Sequence, residues 1–176
     1  MNSEHSIPES IKKDWRLPVY LLAVGVMLLL TQFLNFLPAF QVYDATTATV
    51  IDDVRGFVAF FGGEASLTYY PLSFGILAQA FMVLAGFACI AFSLLLKKRR
   101  TDGKRRFTLI IVSLSLSISA VILLFLSLVQ FRDLNDLLSV GLVARYHYGL
   151  VLQAIVLLTS VYIQWFFFIK IRHYIK

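Results

Sequence analysis

Four long apolar stretches, Leu17 to Phe40, Pro71 to Leu96, Phe107 to Phe131 and Tyr146 to Ile169, leave this chain few ways to fold. Each exceeds the roughly 20 residues a helix needs to cross the hydrocarbon core of a bilayer. A backbone in lipid must satisfy its own N–H and C=O groups, so a spanning segment is either a helix or part of a closed barrel. The third stretch alternates Ser113, Ser115, Ser117 and Ser119 with apolar residues, as a barrel strand would. Such a strand needs only about 10 residues, so length favours a helix. The first stretch is too long for the apolar part of a signal sequence, and no small-x-small cleavage site follows it, so it is expected to remain a span. The expected fold is an all-α integral membrane protein, a four-transmembrane-helix bundle forming a single domain over residues 1–176. A hydrophobic content of 59% with only 15% charged residues agrees with that class.

The basic residues orient the spans. Lys12, Lys13 and Arg16 precede the first, Lys97, Lys98, Arg99, Arg100, Lys104, Arg105 and Arg106 lie between the second and third, and Lys170, Arg172 and Lys176 follow the fourth. Only Arg55, Arg132 and Arg145 fall on the opposite side, where Asp44, Asp52, Asp53, Glu64, Asp133 and Asp136 gather. Lys and Arg resist translocation, so both termini and the 97–106 loop are expected inside, with outer loops over 41–70 and 132–145 and an inner tail over 170–176. Trp15 and Trp165 then sit near the inner boundary and Tyr69, Tyr70, Tyr146 and Tyr148 near the outer one, where amphipathic rings are favoured. The formal charge of +6 is thereby a matter of topology and anionic headgroups, not of nucleic acid. The 97–106 cluster is the expected contact for anionic lipid or an inner partner.

In the first outer loop, Val50, Ile51, Val54, Phe57, Val58 and Phe61 recur at helical spacing while Asp52, Asp53 and Arg55 project elsewhere, which predicts a short amphipathic helix ended by Gly62 and Gly63. Leu134, Leu137, Leu138 and Leu142 predict a shorter one in the second outer loop. Val54, Phe57, Phe61 and His147 are the expected outer-face contacts.

Spans two and four carry a repeated pattern. Gly75-x-x-x-Gln79-Ala80 matches Gly149-x-x-x-Gln153-Ala154, and heptad spacing continues through Met82, Gly86, Cys89 and Ser93 in one and Val156, Ser160, Ile163 and Phe167 in the other. Gln32-Phe33 also echoes Gln130-Phe131. Both hairpins run in the same sense, so a duplication would be parallel. Small residues allow close helix approach, and glutamines at depth seek partners across an interface. Gly75, Gln79, Gly86, Gly149, Gln153 and Ser160 are accordingly expected to serve helix packing or to line a substrate path.

Catalytic chemistry finds little support. No Asp, Glu, Lys, Arg or His falls clearly within the middle of a span, which argues against proton pumping and haem ligation. The single cysteine, Cys89, precludes an intrachain disulfide or a multi-cysteine metal site. The outer acids and His147 match no metal-loop spacing, and no serine lies in a Gly-x-Ser-x-Gly elbow. No cofactor or metal is expected. The leading expectation is a non-enzymatic protein that binds another membrane protein, or a second copy of itself, as an accessory, regulatory or immunity-type subunit. The alternatives are a small-solute or lipid transport component, and a membrane-embedded enzyme acting on a lipid-linked substrate. Short loops and outer loops lacking an Asn-x-Ser/Thr sequon suit a bacterial cytoplasmic membrane.

Overall fold

A computed structural model describes residues 16–97, 103–135, 137 and 140–175. The chain is mostly helical, at 71%, and four of its helices are long and apolar enough to span a membrane. Helix α1 (Arg16–Leu30) tightens into a 3-10 segment (Thr31–Phe36). There the first span ends, because Pro38 disfavours helical backbone in the residue before it, and Leu37 is extended at φ −85° and ψ 156°. The first apolar stretch was expected to stay helical to Phe40; its last residues instead open strand β1 (Pro38–Asp44). Strand β2 (Val50–Arg55) follows, then the short helix α2 (Gly56–Phe61) and a small hairpin of β3 (Gly63–Glu64) and β4 (Thr68–Tyr69). Helix α3 (Ser73–Lys97), helix α4 (Gly103–Leu134), strand β5 (Leu142–Tyr146) and helix α5 (Tyr148–Ile175) complete the order.

The loop between the first two spans departs from the amphipathic helix expected over Val50–Phe61. Its first half is β2, in which Asp52 and Val54 are buried while Ile51, Asp53 and Arg55 are exposed, a period of two rather than 3.6. Only Gly56–Phe61 is helical, and Gly62, at φ +79°, ends it as its position suggested. The reading of the 132–145 loop is corrected as well. Leu134 closes α4, Leu137 is buried in a turn and Leu142 begins β5, while Leu138 lies outside the described residues. Among the described residues neither segment has a helix of the expected extent, because Val50–Arg55 and Leu142–Tyr146 pair as strands with β1.

That sheet has the order β2-β1-β5 with antiparallel neighbours, so the strand leaving the first span pairs with the strand entering the fourth. It caps one end of the helices through a core containing Phe40, Val42, Val54, Phe60, Tyr69, Leu72, Phe131 and Leu150. Phe40 stacks on Phe131 at 4.5 Å between ring centroids and meets Phe60 edge-on at 6.4 Å.

Below the cap, α3 packs on α1 and α4, and α5 packs on α4 and α1. The approach of α1 to α3 is set by glycine. A Cβ on Gly25 would fall 2.8 Å from the Gly86 carbonyl oxygen, and one on Gly86 would fall 3.0 Å from that of Gly25. Between 33% and 39% of the residues in the span windows are buried, so most side chains, such as Leu84, Phe125 and Ile155, are left for lipid. Gly86→Leu should force these helices apart and cost about 1–3 kcal/mol by overpacking. Thermal unfolding in mild detergent reads this as a lowered midpoint, and an unchanged midpoint contradicts the close crossing.

Candidate functional site

Where the first span passes into the sheet, three side-chain amides meet. Asn35 comes from the 3-10 segment, Gln79 from α3 and Gln153 from α5, and all three are buried. Asn35 Nδ2 donates to Gln79 Oε1 at 3.2 Å, Gln79 Nε2 donates to Gln153 Oε1 at 3.1 Å, and Gln153 Nε2 donates to Asn35 Oδ1 at 2.6 Å. The ring is closed, each member giving one N–H and receiving one. A carboxamide offers two donors and two lone pairs, so the ring uses half of each group's capacity.

The glycines next to the ring admit the cap. A Cβ on Gly56 would lie 3.0 Å from Asn35 Cα, and one on Gly149 would lie 2.5 Å from the Pro38 carbonyl oxygen. Gly75 makes room for the Phe60 ring. Gly75 and Gly149 therefore accommodate the turn, strand and short helix above them, whereas Gly86 lies at the helix crossing. Ser160 bonds its own helix, donating to the Val156 carbonyl at 2.8 Å.

A second polar cluster joins α3, α4 and α5. Gln164 Nε2 donates to Ser117 Oγ at 3.0 Å, and Ser113 Oγ lies 3.0 Å from Gln164 Oε1, 3.1 Å from the Ala85 carbonyl oxygen and 3.0 Å from Cys89 Sγ. Ser113 has one hydroxyl proton, so it serves one of those two carbonyl oxygens at a time. The sequence singled out the serine row but not Gln164. Gln32 and Gln130, which echo each other in sequence, differ in place. Gln130 caps the start of α3, accepting from the Phe74 N–H at 2.9 Å and donating to Ser73 Oγ at 2.7 Å, while Gln32 Nε2 is buried without a partner.

The outward face of the sheet carries a polar row. Gln41 in β1 stands opposite Asp53 in β2 and Arg145 in β5. Arg145 Nε donates to Gln41 Oε1 at 2.8 Å, and Gln41 Nε2 donates to Asp53 Oδ1 at 3.0 Å. His147 Nε2 lies 3.6 Å from the same carboxylate oxygen, and the Arg145 guanidinium sits 5.2 Å from the centre of the Tyr43 ring. Of the expected outer-face contacts, Phe57 and Phe61 are exposed, and His147 is mostly covered, with Nδ1 unpartnered. Val54 is fully buried, because strand alternation turns it inward. Asp52, also buried, accepts from Tyr69 Oη at 3.0 Å and from the Ser66 N–H at 2.9 Å. Burial, reinforced by that carboxylate, holds the Tyr69 hydroxyl well above the usual phenol range, so it stays a donor.

Of the basic cluster over 97–106, Lys97 ends α3, Lys104, Arg105 and Arg106 lie in the first turns of α4, and Lys98, Arg99 and Arg100 lie outside the described residues. Among the described residues, no three His, Cys, Asp or Glu side chains come together to hold a metal ion.

Four apolar helices capped at one end by a small sheet describe a multi-pass membrane protein. Comparison of the chain with protein-family models, with curated proteins and with solved structures found no match. Two of the ring's amides were visible in the sequence as the matched Gln79 and Gln153. Asn35 was not, because no helical stripe reaches it across the change to 3-10 geometry; the one local signal is a second amide, Gln32, three residues earlier.

Removing one member of the ring strands both neighbours. Gln153→Leu should destabilise the protein by about 1–3 kcal/mol, towards the lower end because separated helices in a bilayer also find polar partners. The triple change Asn35→Leu, Gln79→Leu, Gln153→Leu removes every group that needs a partner and should recover most of that loss. Detergent titration to unfolding distinguishes the cases. A triple variant less stable than the unaltered protein by the sum of the three single losses contradicts the closed ring.

Proposed function

We propose that this chain is a non-enzymatic membrane protein that binds another membrane protein, as an accessory or regulatory subunit, with its sheet on the outer side of a bacterial cytoplasmic membrane and both termini inside. The single observation that carries the reading is the closure of the Asn35–Gln79–Gln153 ring. A solute path needs polar groups that are free to exchange partners, and here the amides best placed for one bond each other. The polar row Asp53–Gln41–Arg145 faces outward instead, with an exposed arginine and a half-exposed carboxylate both hydrogen-bonded to Gln41 across three paired strands. Pre-ordered charges of both signs give a partner register and orientation at small entropic cost. The distribution of Lys and Arg supports the orientation, and anionic headgroups are the natural neighbours of the inner basic cluster.

A photo-crosslinking residue at Tyr43, in the full chain in its native membrane, tests the partner reading. The expected result is one dominant adduct with a second membrane protein that persists through mild detergent and falls about tenfold when Arg145→Glu reverses the charge beside it. Adducts confined to lipid, or insensitive to Arg145→Glu, overturn it.

A further inference from the structure

The sheet is joined to a surface whose chemistry differs from that of its polar row. Helix α2 contains no charged residue, and its two faces divide sharply: Ala59 and Phe60 are fully buried in the cap, while Phe57 and Phe61, one turn apart, are 55% and 46% exposed. Phe57 lies parallel to Phe36 with ring centres 6.5 Å apart and meets Phe61 at 5.1 Å. Phe36 and Phe33, on the 3-10 segment, are 64% and 66% exposed. These four rings form one apolar patch that continues the surface of the first span.

The height of the patch follows from the span's length. Pro18–Phe36 combines α-helix to Leu30 with 3-10 helix beyond, and rises of 1.5 and 2.0 Å per residue carry it roughly 31 Å. The hydrocarbon core is about 30 Å thick, so Phe36 sits at its edge and the stacked Phe57 beside it. Exposed charges bracket α2, with Arg55 immediately before it and Glu64 shortly after, so the chain leaves for the aqueous side at both ends. A second protein is a poor fit for this patch. Four rings of roughly 200 Å² each, about half exposed, offer roughly 450 Å², short of the roughly 800 Å² per partner of a stable interface.

We propose that Phe57 and Phe61 of α2, with Phe33 and Phe36, form an interfacial anchor inserted among lipid acyl chains at the boundary of the bilayer on the sheet side. Helix α2 follows β2 directly, so the anchor holds the outward polar row at a fixed height above the membrane. Lipid is the occupant because the patch is continuous with a span surface that already faces lipid, and aromatic rings favour this boundary.

Depth-dependent fluorescence quenching tests it. The full-length chain carrying Trp15→Phe and Trp165→Phe receives a single reporter as Phe57→Trp, in parallel with Phe61→Trp, and is reconstituted into phosphatidylcholine vesicles with acyl chains brominated near the headgroup or near the bilayer centre. Both reporters should lose about half their emission with the shallow bromines and markedly less with the deep ones, while Thr46→Trp, in the turn between β1 and β2, stays unquenched. Emission from both reporters unaffected by either lipid overturns the anchor, and if that emission is also blue-shifted, a protein surface, from a second copy or a partner, covers the patch instead.

Discussion

A carboxamide far from water has to find a partner, and in this protein three of them satisfy one another across three segments that are distant in sequence. Asn35, Gln79 and Gln153 bond in a cycle, so sliding α3 or α5 by one turn would break two hydrogen bonds at once and leave polar groups facing hydrocarbon. Each bond contributes little on its own. Collectively they discriminate between registers, a task that apolar spans with Leu, Ile and Phe on every face perform poorly. The ring lies directly under the sheet, so the same contacts that align the helices also set the floor on which the cap rests.

The cap uses the converse rule. A sheet edge cannot lie open to lipid, and the three strands lie where the chain has left the spans, β1 and β2 after the first and β5 just before α5. Its inner face is apolar and aromatic, centred on Phe40. Its outer face is polar, and its β5 margin is blunted by Arg132, which donates through Nε at 3.0 Å and Nη2 at 2.6 Å to the Ala144 carbonyl. Tyr146 Oη reaches the Phe125 carbonyl at 2.7 Å, a second tie between β5 and α4. Glycine makes the arrangement sterically possible: Gly56, Gly75 and Gly149 each stand where a β-carbon would collide with the cap or the ring beneath it.

The four spans were legible in the sequence because length and hydropathy suffice to identify them, and the buried stripe of α3 from Gly75 through Ser93 was legible because its period is that of a helix. The cap was not. Val50, Ile51, Val54, Phe57, Val58 and Phe61 satisfy a helical period, yet the strand reading of Val50–Arg55 depends on burying Asp52, which becomes tolerable only when Tyr69 and the Ser66 N–H arrive from further along the chain. The pairing of β1 with β5 joins segments as distant as Gln41 and Arg145, and no local pattern announces such a contact. Gly25 gives no signal in the sequence, because its role as the counterpart of Gly86 appears only when two helices cross. Residues whose roles are set by their own periodicity could be read in advance; those set by a distant partner could not.

The most direct test of the central claim is nuclear magnetic resonance of the side-chain amide groups of Asn35, Gln79 and Gln153 in isotope-labelled protein held in lipid nanodiscs. If the ring orders the helices, these amide protons exchange slowly with water and show through-space contacts with one another linking all three residues. Rapid exchange without mutual contacts would mean that the amides line a hydrated path, and the account of how this protein fixes its helices would fail.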